Sequence, residues 1–243
     1  MIGMVLAAGA GKRLLPDTEG FPKTLLPVDG ARSILDVALG NLKHLGLETV
    51  VVVVGVAAER IADRAPELQR RHGVDLELGF NPKADEWNNA YSLWCAREAF
   101  AEGVLMVNGD TVHPAVVEER LLAARGTELV LAVDSEKPLG EEEMKVRLSP
   151  QGLLERIHKQ IDPATAHGEY IGLTLIEPEA ATPLAEALEA TWRRDPGLYY
   201  EDGFQEFADR GGRVGTAAVG GVEWVEVDDH ADLARARELA CRC

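Results

Sequence analysis

The sequence predicts an α/β protein built on a doubly wound, mostly parallel sheet. Three observations carry that prediction. Short apolar runs rich in β-branched residues alternate with stretches in which apolar residues recur every three to four positions. The first run ends in a glycine-rich turn, and a later one ends on a carboxylate. Ligand sites of open parallel sheets lie at such strand ends.

In chain order, "IGMVLAAG" reads as a buried strand entering a glycine turn, and "SILDVALGNLKHLG" as a helix. "ETVVVVVG" is the plainest strand, followed by a helical stretch over residues 57–71 and a third strand, "VDLELGF". "NNAYSLWCAREAF" reads as a helix capped by Asn88 or Asn89, with Tyr91 and Trp94 on its core face. "VLMVNGD" and "TELVLAVD" are the fourth and fifth strands, with "PAVVEERLLAA" helical between them. From about residue 135 the rhythm changes. "EEMKVRLSPQGLLERIHK" reads as two strands around a glycine turn and "GEYIGLTLI" as another. Helices are expected near 179–194 and 200–210, then short strands in "RVGTAAV" and "EWVEV". The terminal "DDHADLARARELACRC" is a helix opened by Asp228 or Asp229. No repeat or linker interrupts the chain. The expectation is one domain over 1–243, a first half (1–134) followed by a substrate-binding elaboration (135–243).

Composition narrows the partners. With 243 residues, 46% hydrophobic and 27% charged, the chain is long enough for a well-buried core. A formal net charge of −16 argues against nucleic-acid and anionic-membrane partners, which need a basic face. No apolar run approaches the roughly 20 residues of a membrane span, and no basic region precedes the first apolar stretch as in a signal peptide. Cys95, Cys241 and Cys243 are sparse and odd in number, which points to a reducing compartment and a cytoplasmic location. A homodimer is compatible with all of this.

In so acidic a chain, Lys12, Arg13 and Lys23 gather around small residues in "LAAGAGKRLLPDTEGFPKTLLPV". A Walker A loop is excluded, because Leu6 stands where its first glycine belongs and Arg13 follows Lys12 in place of Ser or Thr. A dinucleotide fingerprint is excluded by Leu14. Local cations and backbone N–H groups clustered in this way suit a ligand carrying several negative charges.

The long pattern L-A-A-G-x-G-x-R-L-x-P followed by P-K-x-L-L-P-V resembles the signature of the nucleotidylyltransferase superfamily, which joins an NTP to a phosphorylated acceptor. "NNAYSL" resembles the cytidylyltransferases that act on phosphocholine and, more loosely, on inositol phosphate. "EEEMKV", "IHKQI", "GEYIG", "YYED" and "EWVEVDDHADLARAR" are similar to the same branch, including enzymes of phosphonate biosynthesis. The resemblance implies a Rossmann-like nucleotidyltransferase fold. It also implies Mg²⁺ held by Asp110 and Asp228 (or Asp229), and CTP as nucleotide. Catalysis falls to Arg13 and Lys23. Leu6, Ala8, Gly9, Gly11, Arg13, Asn89, Ser92 and Gly109, with Asn88 beside them, become the nucleotide site. Lys145 and Lys159 become candidates for the acceptor phosphate, and Glu142, Glu143, Tyr200, Glu201, Asp202 and Glu226 for what lies beyond it.

Where the resembling phosphocholine enzyme carries a Trp, this chain reads "GEEEMKV" without an aromatic, and Tyr199 or Tyr200 is left as one wall. Carboxylates suit a hydrogen-bonding ammonium or hydroxyl better than a quaternary nitrogen. The expected acceptor is therefore a small phosphonate or phosphate such as 2-aminoethyl- or 2-hydroxyethylphosphonate. A sugar-1-phosphate nucleotidylyltransferase and a non-catalytic nucleotide-sensing subunit are the alternatives. No zinc spacing or Ser-His-Asp arrangement is legible.

Overall fold

A computed structural model describes residues 1–241; Arg242 and Cys243, the end of the expected terminal helix, lie outside the described residues. β1 (Ile2–Ala7) leads through a loop with two 3₁₀ turns into the hairpin β2 (Pro27–Asp29) and β3 (Arg32–Ser33). α1 (Ile34–His44), β4 (Thr49–Val54), α2 (Ala58–His72) and β5 (Asp75–Phe80) follow. The Ser33 side chain and Asp36 cap α1 reciprocally. α3 (Asn89–Cys95) is capped by Asn88 and gives way at Ala96 to a 3₁₀ turn over Arg97–Glu102, so the predicted single helix is broken there. β6 (Val104–Asn108), β7 (Thr111–Val112), α4 (Val116–Ala123) and β8 (Leu129–Asp134) complete the first half. The second half adds β9 (Lys145–Leu148), β10 (Leu154–His158), β11 (Gly168–Ile176), α5 (Ala181–Arg194), α6 (Tyr200–Asp209), β12 (Val214–Ala218), β13 (Val225–Glu226) and α7 (His230–Ala240).

The central sheet has nine strands, and its main row runs β5-β4-β1-β6-β11-β8-β12. β1, β4, β5 and β6 pair in parallel, as do β8 and β12, while β11 is antiparallel to both β6 and β8. The sheet is therefore mostly parallel, with β11 as the reversed strand of that row. All nine residues of β11 are buried, which suits a strand covered on both faces. Its first residues extend past β6 to pair with β9, and β9 and β10 form an antiparallel hairpin there.

β4 shows how the sheet divides the core. Val50, Val52 and Val54 pack on one face with Leu35, Leu39 and Leu42 of α1. Val51 and Val53 pack on the other with Phe100, Tyr200 and Phe204. A third cluster joins Leu14, Leu26 and Val28 to Val112, Val227, Leu233 and Leu239, so α7 anchors the glycine loop and the ends of β7 and β13 together. Among the described residues no helix is long and apolar enough to cross a membrane.

Candidate active site

The glycine loop leaves the carboxyl end of β1. Gly11 sits at φ +58°, and a Cβ there would lie 3.1 Å from both the Lys23 Cβ and the Thr18 Cγ2. Thr18 Oγ1 donates to the Gly11 carbonyl at 2.8 Å. The segment thus folds back on itself and brings Lys23 against the loop. At the end of β6, the Gly109 N–H donates to the Leu6 carbonyl at 2.9 Å, where a Cβ would lie 2.5 Å from the same oxygen. Gly109 therefore packs behind the cleft wall, not in it, and lets Asp110 emerge beside β1.

Charge converges at this point. Lys23 Nζ lies 2.8 Å from Asp110 Oδ2 and 3.3 Å from Asp228 Oδ1, and Arg13 Nη2 lies 2.9 Å from Asp228 Oδ2. The Glu226 carboxylate completes the group, its ligand atom within 4.8 Å of those of Asp110 and Asp228. β7 and β13 pair in register, Glu226 opposite Thr111, and the Val227 N–H donates to the Asp110 carbonyl at 2.8 Å. Two segments far apart in sequence are thereby pinned edge to edge. The Asp229 side chain accepts from the Ala231 and Asp232 N–H groups as the cap of α7, which leaves Asp228 for the cluster.

Burial alone would lower the Lys23 ammonium, but Asp110, through charge and hydrogen bond, together with Asp228 and Glu226, holds it above its ordinary value. Glu226 opens onto the cleft, yet the protein around it and the charges of Asp110 and Asp228 push its carboxyl upward. Asp110 Oδ1 is buried without a hydrogen-bond partner. Three converging carboxylates, one orphaned oxygen and too few cations fit a hard divalent ion such as Mg²⁺.

These groups line a cleft of about 1290 Å³. Around the glycine loop its lining includes Leu6, Ala8, Gly9, Gly11 and Arg13, with Asn89 and Ser92 from the start of α3. Asn81 Nδ2 donates to Ser92 Oγ at 2.8 Å, and Asn89 Oδ1 accepts from the Tyr200 N–H at 2.9 Å. Asn88, at the rim, donates to the Gly197 carbonyl at 2.9 Å.

Of the residues expected to meet the acceptor, Glu142, Glu143, Lys159, Glu201 and Glu226 line the same cleft. Three expected residues, Lys145, Tyr200 and Asp202, are elsewhere. Lys145 is fully buried, and its ammonium donates to the carbonyls of Gly140, Glu141 and Glu143 at 3.0, 2.9 and 3.1 Å. It holds the 140–143 loop from behind and has no donor left for a ligand. Tyr200 is also fully buried, its hydroxyl donating to Asn108 Oδ1 at 2.8 Å. Tyr200, Phe204 and Phe207 share the inner face of α6, a spacing of four and three that marks Tyr200 as core. Asp202 accepts from the Tyr199 N–H at 2.9 Å and caps that helix.

The structure adds Asp134, Lys137, Glu169 and Trp224 to the cleft lining. None was singled out in the sequence. Asp134 and Glu169 sit at the ends of apolar strands, where a terminal carboxylate is the available signal. Trp224 lies two residues before Glu226 on a segment read for its carboxylates.

Similarity to known proteins agrees with this geometry. Residues 3–197 match the model of the MobA-like NTP transferase domain. The chain is 32% identical over 244 residues to a CMP-5'-(3-aminopropyl)phosphonate synthase from Streptomyces rubellomurinus, covering 96% of this chain and 38% of that protein. It is 33% identical over 106 residues to a choline-phosphate cytidylyltransferase from Streptococcus pneumoniae, covering 44% of this chain and 43% of the relative. In both cases the match spans less than half the length of the relative. The fold superposes on an inositol-1-phosphate CTP transferase from T. maritima with a TM-score of 0.83 at 24% identity, covering 99% of this chain and 94% of the other. With the glycine loop leaving β1, the carboxylates closing on Lys23 and most of its length matched, this chain belongs to the MobA-like NTP transferase domain family.

Proposed function

We propose that this protein is a Mg²⁺-dependent cytidylyltransferase that moves CMP from CTP to a small phosphonate or phosphate-monoester acceptor and releases pyrophosphate. The observation that carries the reading is Lys23 held between Asp110 and Asp228, with Glu226 beside them, at the mouth of the glycine loop. The 3-aminopropylphosphonate and phosphocholine relatives support the cytidylyl branch. Residues 1–134 supply the nucleotide end and 135–243 the acceptor end, with Glu226 and Asp228 reaching back across that division. The sparse, odd-numbered cysteines of the sequence favour a reducing, cytoplasmic setting.

In the reaction, an acceptor oxygen attacks the α-phosphorus of CTP. A new P–O–P bond forms, and the α–β bridging P–O bond breaks with its electron pair, which leaves on pyrophosphate. A phosphate acceptor is already largely ionised at neutral pH, with a second pKa of about 6, so no general base is required. The work left to the protein is positioning and charge neutralisation. Lys23 faces the phosphoryl group in transfer and Arg13 the departing phosphates. Leu6, Ala8, Gly9 and Gly11 bring backbone close to the nucleotide, and Asn89 and Ser92 flank it. Asp110 and Asp228, with Glu226 adjacent, would hold Mg²⁺, which when bound neutralises the triphosphate.

Lys159 and the surrounding carboxylates favour an acceptor that joins a phosphonate or phosphate to a terminal amine or hydroxyl. Pyrophosphate release measured across CTP, UTP, ATP, GTP and dTTP, with aminoalkylphosphonates, phosphocholine, inositol phosphate and glucose 1-phosphate as acceptors, tests this. CTP with an aminoalkylphosphonate is expected to give the highest kcat/KM. A preference for UTP or dTTP with glucose 1-phosphate would replace the reading with a sugar nucleotidylyltransferase.

A further inference from the structure

Two aromatic faces line the acceptor end of the cleft, and a protein ammonium already lies over each. Lys137 Nζ is 4.8 Å from the centroid of the Trp224 ring, and Lys159 Nζ is 5.9 Å from that of Tyr199. The Lys137 arrangement is the more developed. Its Nζ also donates to Glu169 Oε2 at 2.9 Å, and the Glu169 side chain is 6% exposed. Trp224 Nε1 donates to Asp134 Oδ2 at 2.9 Å. Asp134 Oδ1 accepts from the N–H groups of Glu136 and Lys137 at 2.9 and 3.2 Å. One carboxylate therefore fixes both the ring and the start of the loop that carries the lysine.

An aromatic face backed by a buried carboxylate is the chemistry that takes an ammonium group. Here the group is the protein's own. We propose that Lys137 is a tethered occupant of an ammonium site formed by Trp224, Glu169 and Asp134, and that it sets acceptor specificity by denying this site to quaternary ammonium groups. A trimethylammonium entering the site would have to displace Lys137 and strip Glu169 of an N–H donor. Carrying no N–H, it could not make good the lost hydrogen bond. Tethering multiplies the advantage, because Lys137 competes at the high effective concentration of an intramolecular ligand. Acceptors with a primary amine or hydroxyl are left to the cleft-lining carboxylates Glu142, Glu143 and Glu201, which they can engage by hydrogen bonds.

The consequence for the acceptor rests on the cytidylyltransferase reading, but the site itself does not. Lys137→Ala is therefore tested by titrating the protein with tetramethylammonium chloride against matched sodium chloride, in calorimetry without nucleotide. The variant is expected to bind tetramethylammonium roughly tenfold more tightly than the unaltered protein. Lys137→Ala/Trp224→Ala is expected to lose that gain. So is Lys137→Ala/Glu169→Gln, which keeps the ring and serves if the Trp224 variant does not fold. Equal binding by Lys137→Ala and the unaltered protein would overturn the proposal. A gain that survived loss of both the Trp224 ring and the Glu169 charge would do the same. Kinetics supply the second readout. Lys137→Ala is expected to raise turnover of phosphocholine relative to 2-aminoethylphosphonate. Failure of all acceptors with all nucleotides would count against the cytidylyltransferase reading, and the calorimetry would still decide the site.

Discussion

Glu201 offers a perturbation whose size follows from its surroundings. It lies in the first turn of α6, 7% exposed, with Oε2 buried and unpartnered. Burial pushes its carboxyl up to about 7, with backbone and Tyr200 hydrogen bonds and the Lys159 charge offsetting part of the rise. In the unfolded chain the group titrates near 4.5. Below that pH both states are neutral at this position. Between about 4.5 and 7 the unfolded chain gives up a proton that the folded protein retains, so stability falls across this window and stays lower above it. At about 1.4 kcal/mol per unit, the penalty at pH 8 is roughly 3 kcal/mol. Glu201→Gln cannot titrate and escapes it. Urea unfolding of both proteins at pH 4, 5.5 and 8 is the assay. The stability of the variant relative to the parent is expected to rise by roughly that amount from the lowest to the highest pH. A difference independent of pH would refute the claim that Glu201 is ionised against its environment. The same titration bears on function: acceptors bearing an amine are expected to show a KM that climbs as pH falls below 7.

Three further perturbations probe the site. Lys23→Ala is expected to lower kcat by about 10²–10³ while CTP still binds, and near-normal turnover at saturating substrate would remove Lys23 from the chemistry. Asp110→Asn is expected to abolish the Mg²⁺-dependent rise in melting temperature seen with CTP, measured by differential scanning fluorimetry; an undiminished rise would place the ion elsewhere. Lys145→Met, which removes the cation behind the 140–143 loop, is expected to raise KM for the acceptor without moving KM for CTP, and Lys145→Arg to recover part of the loss. Equal effects on both substrates would make Lys145 a general stability residue.

Periodicity exposed the strands and helices because each buries one face or both. It carries no direction, so nothing in "GEYIGLTLI" indicated that β11 would run backwards between β6 and β8. Sequence left Asp228 and Asp229 equivalent; in the structure Asp229 and Asp232 form the capping box of α7, and Asp228 joins the carboxylate cluster. Glu226 was expected beyond the acceptor phosphate. Glu226 ends β13 and Asp228 follows two residues later, and the structure groups both with Asp110. Lys145 read as a free cation because sequence does not show that three carbonyls converge on it. Trp224, about 80 residues after "GEEEMKV", lines the same cleft, a proximity set by tertiary packing alone.

Cytidylyl transfer at the Lys23–Asp110–Asp228 centre can be followed by ³¹P NMR of the protein with CTP, Mg²⁺ and 2-aminoethylphosphonate. The β and γ resonances of CTP are expected to give way to pyrophosphate while a coupled pair from a new CMP–phosphonate anhydride grows in at equal rate. Chelation of the metal is predicted to stop both changes. CTP that remained intact with every phosphonate and phosphate acceptor, while another nucleoside triphosphate was consumed under the same conditions, would contradict it.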